Sequence, residues 1–371
     1  MKYTDEALDA LRREGDLLAD GVIDSLVAAG TVDEVNRVLR HFEYNDQPIP
    51  EDLPQVVREY LRITDNPPAW VDAERIKRAH TFFLDDGAHV ASILCLGGMV
   101  GCYAVPHGAK LLSITKKLDY PQRRLLETGQ FCFYMMDEQA FQPRGRFIPS
   151  VQKVRLIHAA IRRHLMQHGR WPVEELGVPI CQEDMLGALM IFSNAVVDGM
   201  QRLGIHVTEE EAEDYYYIWR VTGIMLGIRE DAIPETLADS HELAQQLRRR
   251  HLGRSPEGVE LTRSLIRMYQ DVVPGKVADG AIPALIRFVV GDEVADVVDV
   301  PRTGWDRQVQ WLPKVMDAFE DAEDEFVLMR KVLDRAAWLM LNGGLRKFSG
   351  GHSFHYDIPD DLRSAWGITR D

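Results

Sequence analysis

The sequence has 371 residues, of which 46% are hydrophobic and 27% are charged, and this balance excludes a disordered or fibrous chain. Its formal net charge of -15 argues against nucleic acid and anionic membranes as partners, because both bind surfaces with a surplus of lysine and arginine. The four cysteines form no Cys-x-x-Cys pair, and the charged N-terminus carries no apolar leader segment. These features predict a cytoplasmic protein with reduced thiols.

Amphipathic periodicity and capping signals predict helices along most of the chain. Alternating runs of β-branched residues bounded by tight turns are missing, so the sequence predicts an all-α protein. The predicted helices, in chain order, cover residues 5–29, 31–42, 50–64, 72–103, 119–136, 150–168, 182–203, 209–227, 234–252, 255–271 and 306–342.

Residues 88–105 are almost continuously apolar and reach the lower length limit of a membrane-spanning helix. The segment contains a histidine, a serine and several glycines, and it lacks flanking tryptophans. We therefore expect a buried core helix and no stable membrane span. Gly97 and Gly101, one turn apart, would let another backbone or a flat ligand approach closely.

His158 lies in a segment with clear helical periodicity. At about 100° per residue, Val154 and Ile161 fall on one flank of His158, whereas Arg155 and Arg162 fall on the other. Heme matches this arrangement, because its iron binds a neutral imidazole, its macrocycle needs an apolar wall and its propionates need cations. The same pattern also fits a half-buried histidine beside two solvated arginines, and the helix alone leaves both interpretations open.

A second group of residues lies on the preceding predicted helix. Arg124, Glu127, Thr128, Phe131 and Met135 share one stripe, in which polar groups lead into an apolar surface. Oxygen chemistry on an apolar substrate needs such a surface, with a hydrogen-bond donor and a titratable group beside apolar walls. The alternative is an exposed ion pair between Arg124 and Glu127, which contributes little to stability.

These residues belong to four ordered motifs by which the chain resembles the rubber oxygenase (latex clearing protein) family. That family also includes the fungal oxygenase that shortens the farnesyl chain in mycophenolic acid biosynthesis. The resemblance covers about residues 15–300. The four motifs are Arg124-Leu-Leu-Glu127-Thr128, Gln152-Lys-Val-Arg155-Leu-Ile-His158-Ala-Ala-Ile-Arg162, Pro179-Ile-Cys-Gln-Glu-Asp-Met-Leu-Gly187 and Ala212-Glu-Asp-Tyr-Tyr-Tyr-Ile-Trp219-Arg-Val-Thr-Gly223-Ile-Met-Leu-Gly227.

The resemblance implies a globin-like, heme b-binding helical core with additional N- and C-terminal helices. Residues 1–305 would form this single domain, and residues 306–371 would form a helical extension packed on it. His158 is implied as the proximal ligand of the heme iron. Its helix neighbours Arg155 and Arg162, together with Phe131, are expected to contact the cofactor.

The chain departs from the family pattern at the distal site. Family members that cleave polyisoprene carry a lysine one residue before the distal threonine, whereas this chain has Glu127 before Thr128. The family's additional acidic residue is expected near residues 108–110, where this sequence reads Gly-Ala-Lys. Glu127 is therefore the expected acid or base of the distal site, and polymer cleavage is not implied.

The reaction implied by the resemblance is oxidative attack on a C=C bond, with O₂ as co-substrate. Arg124 and Thr128 would orient and polarise O₂, and Glu127 would transfer a proton. The substrate would be an apolar, isoprenoid or alkene-containing molecule lying against Phe131 and Phe133. A homodimer and an electron donor remain open as partners.

Two interpretations from other functional classes also remain open. A heme sensor or carrier would close the sixth iron position with a second protein ligand, for which His80, His89, Lys116 and Lys117 are candidates. A helical interaction protein without any cofactor would make His158 an ordinary core residue.

Overall fold

The computed structural model describes residues 3–114, 121–167, 169, 171–272, 276–311 and 356, with only the backbone for 121–124, 272 and 276–278. Within these ranges the chain forms helices and no β-strand, so the predicted all-α class is confirmed. The globin-like arrangement and the domain boundary at residue 305 stay predictions.

The first half of the chain contains eight helices within the described ranges. They are α1 (Asp5–Leu11), α2 (Leu17–Ala29), α3 (Val32–Leu39), α4 (Gln55–Ile63), α5 (Ala73–Ile93), α6 (Met99–Tyr103), α7 (Pro106–Ile114) and α8 (Pro121–Met136). The helices that follow are α9 (Phe147–Gln167), α10 (Val173–Leu176), α11 (Gln182–Phe192), α12 (Asn194–Arg202), α13 (Glu209–Met225), α14 (Leu237–His251), α15 (Pro256–Val272), α16 (Lys276–Val290), α17 (Asp292–Val297) and α18 (Asp306–Val309).

Two predicted helices are each divided in the structure. The helix predicted over residues 5–29 breaks before α2, because Asp16 is extended and its side chain accepts a hydrogen bond from the amide of Ala19 at 3.2 Å. The helix predicted over 182–203 breaks at Ser193, whose hydroxyl bonds back to the Leu189 carbonyl. Helices α7, α10, α16 and α17 were not predicted.

A π-helical turn, Leu94–Gly98, joins α5 to α6 in one continuous helical segment. By length and composition alone this segment, Ala73–Tyr103, could cross a membrane, which is weak evidence because buried core helices pass the same test. Here α5 packs against α13, and α16 packs against the π turn. A Cβ on Gly97 would lie 2.8 Å from Val289, so the glycine permits this close approach.

Helix α9, which carries His158, packs lengthwise against α2 and also contacts α8 and α13. Its buried residues Leu156, Ala159 and Ala160 join the apolar core formed by α2, α3 and α4. Phe147, Ile148 and Val151 of α9 join a second apolar core, which includes residues of α8 and α13. Three ion pairs join α9 to α2: Arg155–Asp16, Arg162–Asp20 and Arg163–Asp24.

Candidate functional site

A cavity of about 870 Å³ lies between the helical layers, and His158 is in its wall. Val154, Ile157 and Ile161 line the cavity on the same helix, so the imidazole is next to an apolar surface, as the helical periodicity predicts. Glycines of the π turn also line the cavity, which fits the frequent occurrence of π turns at functional sites.

Helix α8 contributes Glu127, Thr128 and Phe131 to the wall of the same cavity. Phe131 is buried and packs against Phe147, with 5.6 Å between the ring centroids. The structure thus brings Glu127, Thr128, Phe131 and His158 to one cavity, whereas Met135 of the same predicted stripe packs in the core. Arg124 belongs to α8 as well, but its side chain lies outside the described part of the structure.

Phe133 does not line the large cavity. It packs edge-on against Phe83, with ring centroids 5.9 Å apart, in a small neighbouring cavity of about 40 Å³. Thr128 lines both cavities, so it lies where they adjoin. The expectation that Phe131 and Phe133 contact one substrate surface is therefore corrected: only Phe131 of the pair faces the large cavity.

Arg155 and Arg162, expected to contact the cofactor, bind carboxylates of α2 in this structure. The Arg155 guanidinium binds Asp16 through two nitrogens, one of them 2.9 Å from Oδ1. Arg162 donates to Asp20 at 2.9 Å and to the Ile180 carbonyl at 2.7 Å. Neither arginine lines the cavity, because α2 packs on this flank of α9 and its carboxylates bind both guanidinium groups. Both residues therefore anchor α2, and their contact with a heme stays a prediction.

Removal of the Arg155 guanidinium is expected to destabilise the fold strongly. The side chains of Arg155 and Asp16 are only 13% and 10% exposed, so Arg155→Ala leaves a buried carboxylate without its partner. We expect a loss of about 3–5 kcal/mol in the free energy of unfolding. Arg163→Ala is the control on the same helix: its partner Asp24 is 66% exposed, and the expected loss is about 0–1 kcal/mol. Urea unfolding measures both, and equally small losses would contradict this assignment.

Other arginines do line the cavity, and the sequence analysis did not identify them. They come from α12, α14 and the C-cap of α3, which are distant in sequence from His158 and carry no motif that marks them. Arg202 donates to the Val289 carbonyl at 2.7 Å, and Arg248 pairs with Glu293. The arginines that line the cavity in the described part of the chain are Arg40, Arg202 and Arg248.

A buried carboxylate in the cavity wall, Glu183 in the first turn of α11, was also missed. It accepts hydrogen bonds from three donors: Arg12 at 3.1 Å, Arg250 at 3.0 Å and His251 at 2.7 Å. Burial alone would raise the pKa of Glu183, but the hydrogen bonds and charges of His251 and Arg12 outweigh burial and lower it. Glu183 is therefore a charged carboxylate held among cations.

The adjacent residue, Asp184, is also held between an imidazole and a guanidinium group. Its Oδ1 lies 3.0 Å from Nε2 of His107 and 3.0 Å from Arg12. Burial would raise the pKa of Asp184, yet the net shift is downward because His107 and Arg12 stabilise the carboxylate. Both imidazoles, His107 and His251, line the cavity together with the two carboxylates.

Tyr356 is a further cavity residue, from the C-terminal region to which no role was assigned. Its hydroxyl donates to the backbone carbonyl of Glu127 at 3.2 Å and lies 3.4 Å from the Gln130 side-chain amide. Burial raises the pKa of Tyr356, so the phenol is neutral at physiological pH. A residue far beyond the four motifs therefore contacts α8 beside Glu127.

The histidines considered as a sixth iron ligand do not line the cavity. Nε2 of His80 lies 3.1 Å from the Met135 carbonyl, and burial lowers the pKa of this imidazole. Nδ1 of His89 lies 3.0 Å from Asp86. Lys116 and Lys117 lie outside the described residues.

Comparisons with known proteins agree with the resemblance. The model of the family described as ER-bound oxygenase mpaB/B'/Rubber oxygenase, catalytic domain, matches residues 88–319. A rubber oxygenase of Streptomyces sp. (strain K30) is 28% identical over 355 residues, which cover 94% of this chain and 86% of that protein. The solved structure of latex clearing protein LCP in the closed state superposes with a TM-score of 0.80 at 25% identity, covering 94% of this chain and 95% of the other. The chain belongs to the mpaB/B' and rubber oxygenase family, and it is an oxygenase.

Proposed function

We propose that this chain is a heme b-dependent oxygenase that uses O₂ to attack a C=C bond in an apolar, isoprenoid or alkene-containing small molecule. The observation that carries the proposal is the position of His158 in the wall of a cavity that Glu127, Thr128 and Phe131 also line. The volume of about 870 Å³ lies within the range of about 300–1,000 Å³ that cofactor and ligand sites occupy. The name of the Streptomyces relative, rubber oxygenase, supports an alkene substrate.

The residues of the cavity fit a heme group. Gly187 of α11 lines the cavity, and a Cβ added there would meet no atom within 4 Å, so a flat macrocycle has room against this backbone. Val154 and Ile161 provide the apolar wall, and His158 would bind the iron. The arginines in the cavity wall are candidates for pairing with the propionates. When bound, heme b supplies the redox-active iron that O₂ chemistry requires.

The α8 residues would act on the oxygen and the substrate. The Glu127 carboxyl can hold or release a proton at the cavity surface, and the Thr128 hydroxyl can donate a hydrogen bond there. Phe131 contributes an apolar surface for a hydrocarbon chain and helps to exclude water. Arg124, whose side chain is not described, stays the proposed partner of Thr128 in orienting O₂.

Oxygen uptake by the hemin-loaded protein tests this function. We expect O₂ consumption and new carbonyl products, detected by mass spectrometry, with farnesol, which contains three C=C bonds. Hexahydrofarnesol has the same skeleton and hydroxyl group without C=C bonds, and we expect no O₂ consumption above background with it. Equal consumption with both compounds, or none with a panel of isoprenoid alkenes, would overturn the proposal.

A further inference from the structure

We infer that His107 and His251 form a hydroxyl-recognition site in the cavity wall, so that the cavity takes an apolar chain ending in an alcohol in preference to a pure hydrocarbon. The inference rests on the proposed function in one respect, namely that this ligand is also the substrate. The binding site itself depends only on the contacts of the two imidazoles.

The two rings contact each other edge to face, although they belong to different helices. His107 is in the first turn of α7 and His251 is the last residue of α14. Their ring centroids are 4.9 Å apart and their planes meet at 85°. Both rings line the cavity, and their side chains are 10% and 17% exposed. A single ligand group in the cavity can therefore approach both rings.

The buried carboxylates fix the orientation of the two rings. Nε2 of His107 is bonded to Asp184, and Nε2 of His251 is bonded to Glu183. This leaves Nδ1 of each ring, to which no residue within the described ranges makes a hydrogen bond. Neither nitrogen is fully buried, so each can bond a polar group on a ligand that reaches it.

A hydroxyl group can bond an imidazole Nδ1 in either protonation state of the ring. In a neutral imidazole whose Nε2–H faces a carboxylate, Nδ1 is an acceptor, and in an imidazolium Nδ1–H is a donor. An alcohol can donate to the first and accept from the second. A charged ligand group gains less, because Arg12 and Arg250 already balance the charges of Glu183 and Asp184. The site therefore favours a neutral alcohol.

Apolar residues surround this polar spot on the same two helices. Leu111 lies one turn after His107 on α7, and Leu247 lies one turn before His251 on α14. Both leucines line the cavity, as does Ala244, which lies one turn before Leu247 on α14. A chain that places its hydroxyl between the imidazoles would therefore lie against apolar side chains immediately beyond it.

Binding of two saturated ligands tests the inference without any turnover. Hexahydrofarnesol and farnesane share a carbon skeleton and differ by one hydroxyl group, and neither has a C=C bond to react. Displacement of 1-aminoanthracene fluorescence measures their affinities for the full-length holoprotein. We expect the alcohol-to-hydrocarbon affinity ratio to fall roughly tenfold in His107→Leu and in His251→Leu, because a site built to bond a hydroxyl discriminates against its absence.

Two further variants serve as controls. His89→Leu removes an imidazole that pairs with Asp86 away from the cavity, and it is expected to keep the parental ratio. His107→Gln keeps a polar side chain of similar size, and it is expected to retain part of the ratio. It also replaces His107→Leu in the test if the leucine variant loses its helical circular dichroism.

An unchanged ratio in the cavity variants would overturn the inference. Loss of heme with an unchanged ratio would also overturn it, because the imidazole pair would then serve the carboxylates of the cofactor. The proposed function is tested separately. If the ratio falls as expected but isoprenoid alkenes cause no O₂ consumption, the hydroxyl site stands and the proposed oxygenase substrate is wrong.

Discussion

His158→Ala is expected to abolish stoichiometric heme binding. The imidazole lies in the cavity wall beside Val154 and Ile161, and its removal takes away the proposed iron ligand while leaving the apolar surface intact. Loss of an outer partner of a metal ligand typically costs about 10–100-fold in metal affinity, so loss of the ligand itself should cost more than about 100-fold. Hemin titration monitored at the Soret band, with a pyridine hemochrome to count heme, measures the change.

Two further variants test whether His158 itself is the iron ligand. His89→Ala, which lacks a histidine outside the cavity wall, is expected to bind hemin as the parent does. His158→Gly with free imidazole in solution is expected to regain a ligated spectrum, because the small molecule can occupy the vacated space. A parental Soret band in His158→Ala would mean that another side chain binds the iron.

Glu127→Gln is expected to lower the rate of oxygenation by roughly 10²–10⁴-fold, the usual contribution of a positioned acid or base. The amide keeps the size and shape of the carboxyl group but cannot take up or release a proton. Heme content and CO binding should match the parent, because Glu127 contributes to the cavity wall on α8 and not to the α9 ligand. The rate is measured as O₂ consumption at saturating alkene.

A parental rate in Glu127→Gln would assign the carboxylate a structural role. Thr128→Val provides a matched comparison on the same helix, since it removes a hydroxyl of the cavity wall without touching a titratable group.

Helical periodicity was sufficient to predict the part of the site that lies on single helices. The spacing of Val154 and Ile161 around His158, and of Thr128 and Phe131 along α8, corresponds to one face of each helix, and these faces line the cavity. The all-α class followed from the same periodicity and is confirmed.

The features that the sequence did not reveal depend on which helices become neighbours. The sequence around Arg155 indicated a cofactor contact because its partner, Asp16, lies 139 residues away. Nothing local in the sequence shows that α2 packs against α9. The break between α1 and α2 did have a local signal. Asp16 is an ordinary N-cap residue, and its side chain accepts a hydrogen bond from the amide of Ala19.

The paired imidazoles show the same limit of local patterns. Glu183 and Asp184 lie in one of the four motifs, but acidic residues in the first turn of a helix are common and indicate only a favourable interaction with its dipole. Their histidine partners come from α7 and α14, so only the assembled helices show that the carboxylates hold two rings at the cavity. Pro106, the first residue of α7, was a start signal that could have located this helix.

The central claim, that the cavity holds a heme on His158, is tested most directly by the visible spectrum of the purified protein after addition of hemin, reduction with dithionite and exposure to CO. The account predicts one heme b per chain and a Soret band that shifts when CO binds to the reduced iron. A protein that takes up no hemin and shows no Soret band under these conditions would contradict it.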